Sequence, residues 1–211
     1  LTEVGLSSLK TISQKKLPQY DKNGDQHYNF ISALHKSIRG SDPQAALYWL
    51  SRMLFGGEDP KYILRRLARM AVEDIGLADP EAVNIVMSAL KAYELLGSPE
   101  GDLAIAQAVT YLALAPKSNK LYEGFQKAFE LSKKTSHLPP PKHLLTSSTK
   151  LAKELGHGKN YQYDHDTPSG CSGQSYFPDD LPRTSFYNPI DRGFERDMKK
   201  RLEYFDKFRQ K

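Results

Sequence analysis

Residues 20–60 read YDKNGDQHYNFISALHKSIRGSDPQAALYWLSRMLFGGEDP. Phe30, Ile31, Leu34 and Ile38 recur at helical spacing and define one apolar face. Gly40-Ser41-Asp42-Pro43 then interrupts the period. An Asp side chain accepts from the unpaired amides of a first helical turn, and Pro tolerates that turn because its missing N–H had no partner there. A second helix therefore starts at Pro43, with Ala45, Ala46, Trp49, Leu50 and Met53 on its inner face. Gly56-Gly57 is a hinge, and Asp59-Pro60 starts a third helix.

The same punctuation continues outward. Ile63, Leu64, Leu67, Ala71 and Ile75 give the third helix its inner face. Asp79-Pro80 and Ser98-Pro99 mark two further starts, and the helices they open are apolar on most sides, as expected at the centre of a domain. A sixth helix is predicted over Lys117–Lys134, with Leu121, Phe125, Ala128, Phe129 and Leu131 facing in. Pro139-Pro140-Pro141 ends this pattern. Thr149–Leu155 reads as one short helix. Gly156–Pro189 has no sustained period and reads as a hairpin, an ordered extended arm or a loop. Its aromatics, Tyr161, Tyr163, Tyr176, Phe177, Phe186 and Tyr187, argue against free disorder. A last helix is predicted over Pro189–Arg209, with Phe194, Met198, Leu202, Phe205 and Phe208 on one stripe. The fold class is all-α: a multi-helix domain with an irregular C-terminal arm and a final amphipathic helix.

Composition permits several partners without demanding any. The net charge of +5 is a modest basic excess, compatible with nucleic acid. The lone Cys171 excludes an internal disulfide framework and fits a reducing compartment. The most apolar run, Leu103–Ala115, is interrupted by Gln107 and Thr110. It is shorter than the roughly 20 residues a bilayer requires, so no membrane partner is expected. The chain opens without Met inside a helix-like pattern, which suggests a piece of a longer protein.

Catalytic and metal motifs are imitated but not met. Gly156-His157-Gly158-Lys159-Asn160 lacks the upstream Gly and the hydroxyl of a phosphate-binding loop, and reads as a surface turn. Asp21-Lys22-Asn23-Gly24-Asp25 has Gly fourth and Ser32 twelfth, where a calcium loop needs Gly sixth and Glu twelfth. His27 and His35 are two turns apart, too far for the His-x-x-x-His zinc spacing, and read as groups hydrogen-bonded within the helix pair. Cys171 lies in a Gly/Ser loop after His165, but a nucleophilic cysteine needs a positioned base, and the sequence shows none. No catalytic, cofactor or metal residue is assigned.

Charged groups offer contact sites instead. Lys36 and Arg39 fall in the last turn of the first helix, where cations offset the carbonyl ends; they also suit a subunit salt bridge or a nucleic-acid phosphate. Lys61, Arg65, Arg66 and Arg69 form a basic ridge on the third helix. It reads as a solvated face with an Arg69–Glu73 pair, a phosphate-contacting face or an interface. Glu73-Asp74 could meet such arginines from a neighbouring chain. Trp49, Tyr48, Phe194, Met198 and Phe205 are candidate core or interface anchors. Full burial would make Trp49→Ala cost about 3–5 kcal/mol.

Several long strings then carry a resemblance: His35-Lys36-Ser37-Ile38-Arg39-Gly40-Ser41-Asp42-Pro43, Ala45–Leu50, Glu73–Pro80 and Tyr111–Asn119, with Gln174, Tyr176, Pro178, Tyr187, Pro189, Gly193 and Glu195 in the tail. The chain resembles the C-terminal region of the replication-associated recombination protein A family, AAA+ ATPases related to clamp loaders. The segment around Cys171 departs most from that pattern. The resemblance implies that residues 1–19 end the helical lid of an ATPase module, that 20–138 form a clamp-loader-collar-like oligomerisation domain, and that 139–211 form the arm and last helix. It implies a DNA-dependent ATPase in the cytoplasm, at the nucleoid, acting at stalled or damaged forks. ATP and magnesium would belong to the ATPase module and not to this chain. The implied partners are other copies in a homotetramer, DNA forks, single strands or ends, and single-stranded-DNA-binding protein. An autonomous DNA-binding module using the third helix is the alternative.

Overall fold

The computed structural model describes residues 25–209. The segments read above as a lid end and as a calcium-like turn fall outside them, but for the backbone of Asp25. Eight α-helices and no strand occur among the described residues, so the all-α reading holds. The chain divides into two compact units: residues up to Ile75 with Pro80–Lys117, and Gly76–Asp79 with Ser118 onward.

The first unit contains α1 (Asp25–Arg39), α2 (Pro43–Phe55), α3 (Pro60–Met70), α4 (Glu81–Leu96) and α5 (Asp102–Leu114). Two of the predicted starts form as read. Asp42 Oδ1 accepts from Ala45 N at 2.9 Å, and Asp59 Oδ1 accepts from Lys61 N at 3.0 Å. Helix α4 begins at Glu81, directly after Asp79-Pro80. Ser98-Pro99 opens a tight turn instead of a helix, because Gly97 at φ +69° reverses the chain and Gly101 lies against its carbonyl. The hydroxyl of Ser98 donates to Asp102 at 2.6 Å, and α5 starts there.

Helix α5 is the centre of this unit and packs against α1, α2, α3 and α4. Leu34, Ile38, Leu50, Met53, Ile63, Leu64, Leu67, Met70, Ile105 and Leu112 are fully buried around it. Each such side chain stabilises the fold by about 1.5–3 kcal/mol relative to exposure. Trp49 belongs to the edge of this core. It is half-buried, tilted against Phe30 at 5.7 Å and edge-on to Tyr48 at 5.1 Å. Full burial is therefore corrected, and Tyr48 is exposed.

The second unit contains a 3-10 turn at Gly76–Ala78, α6 (Lys120–Lys134), α7 (Lys150–Glu154), an extended arm and α8 (Glu195–Arg209). Thr149 Oγ1 caps α7 by accepting from Ala152 N at 3.1 Å. The arm lies directly on α6: a Cβ at Gly124 would meet Phe186 O at 2.7 Å. That approach turns α6 about its axis relative to the sequence reading. Gly124 is buried and Ala128 and Leu131 are half-buried, whereas Leu121, Phe125 and Phe129 point outward. Of the aromatic stripe on the last helix, Phe194, Met198, Leu202 and Phe208 are half-buried and Phe205 is exposed. Arg201 lies over the Phe194 ring at 5.5 Å.

Candidate functional site

After Met70 the third helix does not continue in α geometry. Ala71–Ile75 forms one turn of π-helix, the kind of local widening often found at functional positions. It places Asp74, which is buried, against α1. His35 Nε2 donates to Asp74 Oδ2 at 2.5 Å, and Arg39 Nε donates to Oδ1 at 2.6 Å. Burial pushes the Asp74 carboxyl up more than any other single influence. The bonds from His35 and Arg39, with their charges, together outweigh it and hold the group below the usual carboxylate range. Glu73 accepts from Arg69 Nε at 2.7 Å and lies 4.0 Å from Arg39.

Lys117 completes this corner of the unit. Its ammonium donates to Ala113 O, Ala115 O and Ser41 Oγ, closing the end of α5 onto the turn before α2. Burial pushes its pKa down, and the Asp74 charge opposes that shift. A second His–carboxylate pair, His27 with Glu58, lies under the Tyr62 ring. Burial raises the Glu58 carboxyl.

The structure disperses the basic candidates. Arg39 meets Asp74 of its own chain. Lys61 pairs with Glu94 at 3.1 Å and Arg69 with Glu73. Arg65 lies over the Tyr62 ring at 5.2 Å, and Arg66 is half-buried with its Nε lacking a partner. Lys36 is exposed. The ridge on α3 is thus a mixed-sign surface.

A second surface carries no charge at all. No charged residue lies between Asp102 and Lys117, yet Leu103 is 76% exposed and Leu114 66% exposed. Gln107 and Thr110 fall between them on the same outward stripe of α5. Leu95 and Leu96 are exposed at the end of the hairpin where Leu103 lies. A helix apolar on all sides is ordinarily covered on all sides; this one is covered on every side but one.

In the second unit the hub is Glu195, whose carboxylate is fully buried. It accepts from Ser118 Oγ at 2.9 Å, Ile190 N at 3.0 Å and Tyr187 OH at 3.2 Å. Burial first, then the Glu195 charge, pushes the Tyr187 phenol well above its ordinary range. Asp164 organises the loop around buried Cys171: Tyr176 OH donates to it at 2.5 Å, and the amide and hydroxyl of Ser172 at 2.8 Å. Those bonds, Tyr176 foremost, lower its pKa to about 2. Sequence reading missed Asp74, Glu195 and Asp164 as hubs. Each is an acidic residue whose partners come from elsewhere in the chain, and local spacing carries no sign of them.

Helical bodies of this kind, with bonded and capped surfaces and a polar hub in each unit, define a scaffold class. A family model for the C-terminal region of the MgsA AAA+ ATPases matches residues 40–206, and one for an AAA C-terminal domain matches residues 2–39. The chain belongs to this family of AAA+ ATPases, as its C-terminal region. It is 50% identical over 192 residues to the replication-associated recombination protein A of Coxiella burnetii, covering 90% of this chain and 44% of that protein. The Escherichia coli protein of the same name is 42% identical over 197 residues, 93% of this chain and 44% of its own length. The ATPase WRNIP1 of Dictyostelium discoideum is 45% identical over 170 residues, 80% of this chain and 19% of its own. The chain spans less than half the length of these relatives. Among the described residues no helix is long and apolar enough to cross a membrane.

Proposed function

We propose that this chain is the assembly and partner-contact region of a DNA-dependent AAA+ ATPase that maintains replication forks and acts in recombination and repair. It joins subunits into a homotetramer and presents surfaces to DNA and to single-stranded-DNA-binding protein, at the nucleoid in the cytoplasm. Hydrolysis of ATP, with its magnesium, falls to an ATPase module that its longer relatives have room for. The names of the relatives support the replication and recombination setting.

The observation that carries assembly is the outer face of α5. An interface core is depleted of charge, and this face carries none along a helix whose other sides form the centre of the fold, with exposed Leu103 and Leu114 at its two ends. A second copy is the occupant that an isologous contact calls for. The test is Leu103→Lys with Leu114→Lys, followed by sedimentation equilibrium. The proposal predicts an unchanged helical spectrum and a shift to monomer; retention of the wild-type mass would remove α5 from the interface. The alternative, DNA binding by the α3 ridge, rests on the exposure of the Lys61 and Arg69 side chains, and their carboxylate partners weaken it.

A further inference from the structure

The outward turn of α6 leaves a surface that the assembly reading does not use. Leu121, Tyr122, Phe125 and Phe129 fall within about a 100° sector of the helix. Phe125 is 63% exposed and Phe129 49% exposed. Their rings are nearly parallel, 27° apart, with centroids separated by 6.2 Å. Glu123 and Glu130 project at least about 140° away from Phe125, so the rings stand on a sector without carboxylates.

Charge supplies the second observation. From Leu131 to Lys153 the chain contains Lys133, Lys134, Lys142, Lys150 and Lys153, with His137 and His143, and no Asp or Glu. All five lysines are exposed. Lys133 already lies over the Phe129 ring at 4.6 Å, while bonded to Glu130 at 2.7 Å. A stripe of exposed rings running into a carboxylate-free basic segment suits a ligand with apolar faces and a regular negative backbone.

We propose that the outer face of α6 and the basic segment after it bind single-stranded nucleic acid, with Tyr122, Phe125 and Phe129 stacking on bases and Lys133 and Lys134 meeting phosphates. The inference rests on the partner-contact half of the proposed function and gives it a place. Base–ring stacking tolerates any sequence, and lysine contacts add salt dependence.

Fluorescence anisotropy of a labelled oligothymidylate, titrated with the whole chain at several salt concentrations, tests it. Phe125→Ala and Phe129→Ala should each weaken binding by about 5- to 150-fold and leave the salt slope unchanged. Lys133→Ala and Lys134→Ala should each flatten the slope of log K against log salt by about 0.7. Binding by wild type that the ring variants leave intact would overturn this site but not nucleic-acid contact elsewhere. No binding by wild type would overturn both. Ring variants that lower the mass of the protein instead of its affinity for the strand would overturn the site and assign the face to another copy.

Discussion

His35 and Asp74 come from opposite ends of the first unit's early sequence and meet at 2.5 Å, with the acceptor carboxylate buried. The π-turn at Ala71–Ile75 makes the meeting possible by carrying Asp74 toward α1. Arg39, one turn after His35, takes the other oxygen. One carboxylate thereby fixes the last turn of α1 to the end of the third helix.

Removing that carboxylate leaves two donors without an acceptor. Asp74→Ala should lower stability by about 2–3 kcal/mol, a figure that discounts the exposed Arg39. Asp74→Asn should lower it less, since one acceptor oxygen remains. Urea denaturation measures both, and an Ala variant as stable as wild type would show that the pair is decorative.

Acid should act on the same pair. Asp74 is depressed in the fold relative to its unfolded value of about 3.9, so between the two values the unfolded chain binds more protons. Its contribution is full above about pH 4 and is lost as pH falls through the lowered folded value. Denaturation midpoints of wild type and Asp74→Asn should therefore converge as the pH drops below this window. A gap that stays constant there would contradict the assignment.

Glu195 should matter more to its own unit than any surface charge. Glu195→Ala leaves the buried Ser118 Oγ and the half-buried Tyr187 OH and Ile190 N without this acceptor and should cost about 2–3 kcal/mol. Glu195→Gln, which keeps the shape and one carbonyl oxygen, should fall between. Amide exchange at Ile190 would report the change directly: faster in the Ala variant, and unaltered if the hub is dispensable.

Asp164 holds the loop that encloses Cys171. Asp164→Ala should therefore raise the rate at which a disulfide reagent modifies Cys171 at neutral pH. A modification rate that ignores the substitution would mean that burial of Cys171 has another cause.

Much of the fold was legible because its signals are local. Asp42-Pro43 and Asp59-Pro60 cap the helices they precede with atoms two or three residues away. The period of α1, α2 and α3 named most of their buried residues. Ser98-Pro99 was misread because Gly97 and Gly101 set the turn, and their closeness is a property of the backbone. The facing of α6 was misread because its inner surface is chosen by the Phe186 backbone resting on Gly124, far along the chain. The contact candidates fared similarly. The Arg69–Glu73 pair was legible from its spacing and forms, whereas Arg39 was visible only as a cation, because its acceptor Asp74 is carried to it by a π-turn that no residue spacing announces.

The central claim is assembly, and the mass of the chain in solution tests it most directly. Light scattering across a concentration series, without nucleic acid, should give a tetramer that persists on dilution. A monomer at every concentration would contradict the account and leave the uncharged face of α5 without the partner proposed for it.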